Sequence, residues 1–421
     1  MVDYQLYLGL SARSFNALTE KERCFIDYFT KLNMSAISPV MDELYTAGPK
    51  GYGSSLIVAR MIKIKERISS DRELADKLSR NELYRFVTHI DHDHIPAHNT
   101  FTSLRARLGD NGLQKIHSNL VFTANSLGLL TPHIRGLPKN MRKGIILIAD
   151  STFLLTAGST RGTKGEDGSW RFQDQGASFG RPHHKHTYPV GYKAHSLITI
   201  NGIPMVSLLS GAHERDSDYI FPLLEELGKR YPNLSFSYII LDRGYDSEEI
   251  HRRIYEDFAI IPVIIRKKMV YPKGFTSDGL PLCPFGYPMR RKGIDYRHKR
   301  TQYACYKACQ RAAQQPLFDC QSLHSTHRFG HTIYTSFREG YRKFGPALPN
   351  TISYRRLKPF RTGIERTYAL VKENRYRMET SNTYVGLHNV LMHVVEHDIV
   401  LTQDIVYDYL NNGQVSPVIK A

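Results

Sequence analysis

Apolar positions recur along this chain with two different periods, and the change between them divides it. Up to about residue 135 the spacing is helical. Ser70-Asp-Arg-Glu73 is a capping-box pattern ahead of Leu74 and Leu78, which share one helical face. After Pro96 a second helix start falls at Asn99 or Thr100, with Phe101, Leu104 and Leu108 as its apolar stripe and Gly109 as its stop. Short helices joined by tight turns suit a helix-turn-helix-like DNA module or a helical cap with no DNA contact.

From residue 140 to 265 strand and helix signals alternate. Gly144–Ala149 is a fully apolar strand ending at Asp150, and Tyr188–Ile200 and Ile203–Leu209, joined at Asn201-Gly202, predict a β-hairpin. Asp218–Lys229 reads as a helix, Ser237–Leu241 as a strand ending at Asp242, Ser247–Asp257 as a helix and Ala259–Ile265 as a strand. Residues 156–187, rich in Gly, Ser and His, predict a long loop. This alternation predicts an α/β fold.

A third texture fills residues 266–345, and helical spacing returns from about 355, with Ile364, Tyr368 and Val371 as one apolar set. The expected organisation is a helical N-terminal domain over 1–135, a core over 140–265, an insertion over 266–345, the rest of the core over 346–400 and a tail over 401–421.

Charge sharpens this division. The 421 residues carry 57 Lys+Arg against 40 Asp+Glu, a net +17 and a pI near 9.5. Residues 266–345 hold 16 Lys+Arg and 4 Asp+Glu, so +12 of that excess sits in the insertion. Such an excess favours polyanions, because neutralised phosphates release condensed counterions. Ribosomal, membrane-surface and heparin-type partners would suit the same charge. Five cysteines exclude a disulfide-dense secreted scaffold. The N-terminus lacks the pattern of a signal peptide, and the longest apolar runs, Ile145–Ala149 and Ala259–Ile265, are far too short to cross a bilayer. A cytoplasmic protein with reduced thiols is expected.

The candidate chemistry lies in carboxylates. Asp150 and Asp242 each follow an apolar strand directly, and a carboxylate there is held on a rigid element at a sheet edge. Divalent magnesium takes hard oxygen ligands, and two-metal phosphoryl chemistry needs two or three carboxylates converging. Either Asp alone reads equally well as a turn or N-cap residue. Arg361, Glu365, Tyr368 and Lys372 are spaced to share one helical face, which by itself also describes a solvated ladder of ion pairs.

Together these residues resemble the D-D-E triad of insertion-sequence transposases. Arg361, Glu365 and Lys372 match the R-x3-E-x6-K part of the Y-R-E-K signature in the subgroup founded on insertion sequence four. Asp150-Ser-Thr, Asp242-Arg-Gly-Tyr-Asp246 and Ile364-Glu365-Arg366 look like that family too, and Ser69–Asp76 with Thr100-Phe-Thr102 resembles its helical N-terminal domain. The signature's tyrosine position holds Lys358 here, the nearest tyrosine being Tyr354. The resemblance implies an RNase H-like mixed sheet flanked by helices. Asp150, Asp242 and Glu365 would then hold two Mg2+ or Mn2+ ions for nicking and strand transfer, with Arg361, Lys372 and Lys358 on DNA phosphate. It implies double-stranded DNA partners (element terminal inverted repeats and target DNA), a homodimer in the synaptic complex, and action at the nucleoid. A non-catalytic DNA-binding derivative and an RNase H-like nuclease without strand transfer are the alternatives.

In the family the insertion touches DNA. Here Arg290, Arg291 and Lys292, interleaved with Tyr287, Tyr296, Tyr303 and Tyr306, suit phosphate contact and stacking. Some relatives place a tryptophan in the insertion, but the single tryptophan here, Trp170, lies outside it. Cys283, Cys305, Cys309 and Cys320 read either as a structural zinc site, with His324, His327 or His331 able to replace one thiol, or as packing residues. His183-His184-Lys185-His186 reads as a loop, because adjacent histidines converge poorly on one ion, and His213-Glu-Arg-Asp216 as capping with local hydrogen bonds.

Overall fold

The computed structural model describes residues 18–44, 51–132, 137–180, 188–305, 331–362, 376–379 and 381–413. The helices are α1 (Glu20–Thr30), α2 (Ser38–Leu44), α3 (Ser55–Lys65), α4 (Asp71–Arg80), α5 (Glu82–Thr88) and α6 (His98–Ser126) before the first strand. Strands β1 (Ile145–Leu155), β2 (Thr163–Lys164), β3 (Trp170–Arg171), β4 (Ser178–Phe179), β5 (Val190–Thr199) and β6 (Pro204–Gly211) follow. Then come α7 (Ile220–Arg230), β7 (Phe236–Leu241), α8 (Glu248–Glu256) and β8 (Ile261–Ile264). The insertion adds β9 (Arg290–Asp295), β10 (Arg300–Ala304) and β11 (Thr332–Ser336), and the chain continues through α9 (Tyr341–Phe344), α10 (Ile352–Leu357) and α11 (Leu387–Asn412).

The chain divides into two compact units, one of residues 1–133, 150–232 and 364–420, the other of 134–149 and 233–363. In the first, Ser70 caps α4 as its sequence predicts, its side chain accepting from Glu73 N. The Glu73 carboxylate reaches Ser69 instead, taking its N–H at 2.9 Å and its hydroxyl at 2.6 Å. Gly109 leaves the helical dihedrals (φ 59°, ψ −173°), so the first helical stretch of α6 stops there as its sequence predicts, and a second stretch beyond this kink carries Leu113, Ile116 and Leu120 into the core. The axis of this unit is α11, packed against α3, α6 and β6 and buried on nearly every face. Its 26 residues run through position 400 without a break. Polar groups on so buried a helix need partners. Glu396 receives Arg60 Nη2 at 2.7 Å and Arg105 Nη1 at 3.1 Å, and Arg60 Nη1 extends the network to Asp71 at 3.2 Å. The hairpin expected around Asn201-Gly202 forms as β5–β6, antiparallel, with Gly202 at φ +95°. On its other side β5 pairs antiparallel with β4.

In the second unit the first half of β1 pairs in parallel with β7, and β7 in parallel with β8. Parallel neighbours need a crossover, and α8 supplies it between β7 and β8. Ser247 starts that helix by accepting Ile250 N. The insertion is a three-stranded antiparallel sheet in the order β11-β10-β9 over a small apolar cluster of Cys283, Met289 and Tyr303. Parallel and antiparallel pairing with flanking helices makes the protein a mixed α/β fold, consistent with the RNase H-like core expected. No described helix is long and apolar enough to cross a membrane.

Candidate active site

Asp150 does not end its strand. Five more residues follow in β1, and burial alternates through them, with Thr152 and Leu154 inside. The strand continues because its edge finds β5, where Thr156 N donates to Val190 O at 3.2 Å. Asp150 is half-buried, and its Oδ1 accepts the Ser151 N–H at 2.9 Å. Thr152 points to the same face two residues on, and its hydroxyl donates to Glu379 Oε1 at 2.7 Å. Glu379 is a carboxylate on this strand face that the sequence pattern did not single out.

Asp242 stands one residue past β7, half-buried, at the start of a 3-10 turn over Arg243–Tyr245. Its Oδ1 accepts Gly244 N at 2.6 Å, and a Cβ at Gly244 would lie 2.9 Å from that oxygen, so glycine leaves the carboxylate its place. Four residues on, Asp246 has the opposite environment. Its carboxylate is wholly buried and takes His251 Nε2 at 3.0 Å, Lys267 N at 2.8 Å and Arg342 Nη2 at 2.8 Å, with Arg266 Nη1 at 3.7 Å. Burial pushes this carboxyl up, but the hydrogen bonds from His251, Arg342 and Lys267 and the Arg266 charge outweigh it and hold it well below the usual range. Burial pushes the His251 imidazole down to about 4, so it is neutral. Arg266 and Lys267 begin the basic insertion and Arg342 closes it, so one carboxylate clasps both its stems. Glu248 adds to the returning stem by accepting Arg342 N at 3.0 Å.

Glu365 and Lys372 lie outside the described residues, as do Tyr306, Cys309, Cys320, His324, His327 and the run 183–186. Arg361 is buried, and Lys358 is exposed at the end of α10. Cys283 and Cys305 pack in one cluster, and Cys305 Sγ accepts His331 N at 3.2 Å. Arg290 and Lys292 are exposed on β9, while Arg291 is half-buried and donates to Pro346 O at 3.3 Å. With Tyr238, Tyr296, Arg355 and apolar side chains, the three line a cleft of about 690 Å³. At the other run read as capping, Asp216 opens a 3-10 turn and pairs with Lys193 at 3.0 Å.

The oxygen donors of Asp150 and Asp242 suit a hard divalent cation. Among the described residues no group of three His, Cys, Asp or Glu side chains stands close enough to hold a metal ion, and the third expected ligand is Glu365.

Residues 142–392 match the family described as the transposase DDE domain. The chain belongs to the DDE transposase family. This family generally uses divalent metal ions, and the matched span includes Asp150, Asp242, Glu365 and the whole basic insertion. A putative transposase for insertion sequence element IS402 of Burkholderia cepacia is 35% identical over 89 residues, 20% of this transposase-family chain. The chain spans 42% of the length of that curated relative. A structure of the piggyBac transposase synaptic complex with hairpin DNA aligns over 94% of this chain and 77% of its own, at 12% identity and a TM-score of 0.32, too slight a likeness for any inference.

Proposed function

We propose that this chain is a transposase that cuts DNA at the ends of an insertion sequence and joins those ends to target DNA, with Asp150, Asp242 and Glu365 as ligands of two Mg2+ or Mn2+ ions. The observation that supports the reading most is the register of the parallel pair β1–β7. Ile148 lies opposite Ile240, and in the sequence a carboxylate follows each of them two residues later, Asp150 within β1 and Asp242 just past β7. Bound metals would supply a nucleophile at neutral pH and offset charge on the leaving oxygen.

The chain's own residues do the rest. Strand and turn hold Asp150 and Asp242 in place before any ligand arrives, and Glu365 completes the donor set from the segment after Arg361. Arg361, Lys358 and Lys372 take backbone phosphate near the scissile bond. Arg290, Arg291 and Lys292 hold DNA along the cleft of the insertion, which fixes its register without reading its sequence. The partners on this reading are double-stranded terminal repeats and target DNA, bound by a homodimer at the nucleoid in the cytoplasm. Cys283, Cys305, Cys309 and Cys320 would staple the self-repelling insertion through one structural zinc, which metal analysis of purified protein checks at about one ion per chain.

The test is incubation of the full chain with Mg2+ and the DNA that flanks its own reading frame. Nicks at defined ends, and products joined to a second DNA, are expected. Nicks without joining would mean a nuclease, and retained DNA without nicks a non-catalytic DNA-binding protein.

A further inference from the structure

A cavity of about 220 Å³ lies between α3, α11 and the segment 376–384, and the chemistry above makes no use of it. Four cationic side chains line it, Arg60, Lys63, Arg67 and Arg377, against one carboxylate, Glu396. That carboxylate is already matched, because Arg60 Nε and Nη2 donate to its two oxygens and Arg105 Nη1 adds a third bond. Asp71 takes Arg60 Nη1 at 3.2 Å and Lys63 Nζ at 2.6 Å, which uses one of the three donors of that ammonium. Arg67 and Arg377 stand on the exposed side of the cavity with φ of 54° and 52°, left-handed backbone that residues other than glycine adopt at a cost. The lining thus keeps an excess of positive charge, which repels a metal ion and attracts a small anion.

Hydrogen-bond chemistry narrows that anion. His397 lines the cavity and is 1% exposed. Its Nδ1 lies 2.8 Å from His393 O, which can only accept, so Nδ1 carries the hydrogen. Burial pushes the imidazole down to about 4, so the ring is neutral and Nε2 bears a lone pair. This Nε2 is buried without a hydrogen-bond partner, and so is Ser381 Oγ on the same cavity. Buried polar atoms of this kind are costly and call for a partner. Tyr384 Oη accepts Arg60 Nη2 at 3.0 Å, which turns its own proton elsewhere. A fitting ligand therefore offers anionic oxygens to the cations and hydroxyls, and an O–H to His397. Sulfate and the phosphodiesters of a DNA backbone have the oxygens but no proton near neutral pH. A phosphate with a second pKa of about 6 has both.

We propose that this cavity binds a protonated phosphate group, that of inorganic phosphate or of a small phosphate monoester, with Lys63, Arg67, Arg377 and Ser381 around its oxygens and its hydroxyl donating to His397 Nε2. The site stands apart from the carboxylates proposed to hold metal and needs neither metal nor DNA. Its ligand would join α3 and α11 to the segment 376–384 and so stabilise the folded chain by mass action.

The test is calorimetric titration of the full chain, without metal or DNA and at matched ionic strength, with inorganic phosphate, glycerol 3-phosphate, dimethyl phosphate and sulfate. One site per chain is expected for the first two, the tighter of them identifying the source, with sulfate and dimethyl phosphate at least about tenfold weaker. His397→Phe should weaken phosphate binding about tenfold, to the level of sulfate. Arg377→Gln and Ser381→Ala, at positions where a folding defect is least expected, should each weaken it about five- to tenfold while leaving the unfolding midpoint of the ligand-free chain unchanged. No binding of either phosphate, sulfate bound as tightly as phosphate, or parental phosphate affinity in both Arg377→Gln and Ser381→Ala would each overturn the site.

Discussion

Asp242 and Asp246 lie four residues apart on one turn and are treated in opposite ways. Asp246 is wholly buried and surrounded by His251, Arg266, Lys267 and Arg342, whereas Asp242 is half-buried and accepts a backbone N–H from Gly244. In the first unit Glu396 repeats the pattern of Asp246. Burial would raise its carboxyl, but Arg105 and Arg60 hold it well below the usual range. Asp150, like Asp242, is half-buried at a point where a strand leaves its parallel neighbour. The scaffold carboxylates spend their charge inside the protein. Those at the strand exits are only half-buried, which the proposed role as cation ligands requires.

Stability should separate the two kinds most widely. Breaking a buried ion pair by neutralising one partner leaves the other charge stranded, at a cost of about 3–5 kcal/mol. Glu396→Gln and Asp246→Asn should each lower stability by about that much in denaturant unfolding, whereas Asp150→Asn and Asp242→Asn should stay within about 1 kcal/mol of the parent. An equal loss in Asp242→Asn would erase the contrast, because it would make Asp242 a scaffold residue.

Thr152 and Glu379 sit between these kinds, on the same strand face as Asp150. Thr152→Val keeps the shape and removes the hydrogen bond to Glu379. Nicking should fall about tenfold with stability down by about 1 kcal/mol. Nicking at the parent rate would show that this bond does not help to place Asp150.

Asp398 sharpens the comparison through pH. It lies on α11 two residues from Glu396 and accepts Ser207 Oγ at 2.7 Å, and burial pushes its carboxyl up to about 7. An acid with a raised folded-state pKa keeps its proton in the folded chain after the unfolded chain has lost it. Its effect is therefore absent below the unfolded value of about 4, destabilises progressively from there to about pH 7, and is constant above that. Asp398→Asn should be roughly 1–3 kcal/mol more stable than the parent at pH 8 and no more stable at pH 4. Equal stability of the two at pH 8 would mean that the carboxylate is solvated or paired.

Much of this was legible in the sequence, and what was not shares one physical cause. Elements whose periodicity is local, such as the β5–β6 hairpin, β7 with Asp242 behind it, and α8 behind Ser247, stand where the pattern puts them. Both aspartates stand out in the sequence because an acid directly after an apolar run is a local signal. The strand through Asp150 ran on because β5 supplied an edge, whereas the stop at Gly109 stands where the pattern puts it, with a second helical stretch beginning beyond the kink. The carboxylates that the pattern passed over hold partners far away in the chain: Asp246 with Arg342 across 96 residues, Thr152 with Glu379 across 227, Arg60 with Glu396 across 336. No spacing rule reaches that far. The pairing of β2 with β3 inside the long loop was hidden because Gly, Ser and Asp signal turns without saying that two short strands will pair between them.

The central claim is that Asp150, Asp242 and Glu365 hold the metals and do not hold the fold or the DNA. Its most direct test compares Asp150→Asn, Asp242→Asn and Glu365→Gln with the parent in two assays on the same end-containing DNA, affinity in the absence of divalent metal and single-turnover nicking in Mg2+ or Mn2+. Each variant should bind within about threefold of the parent and nick at least about a thousandfold more slowly. Nicking within about tenfold of the parent by any one of them would remove that residue from the site and contradict the account.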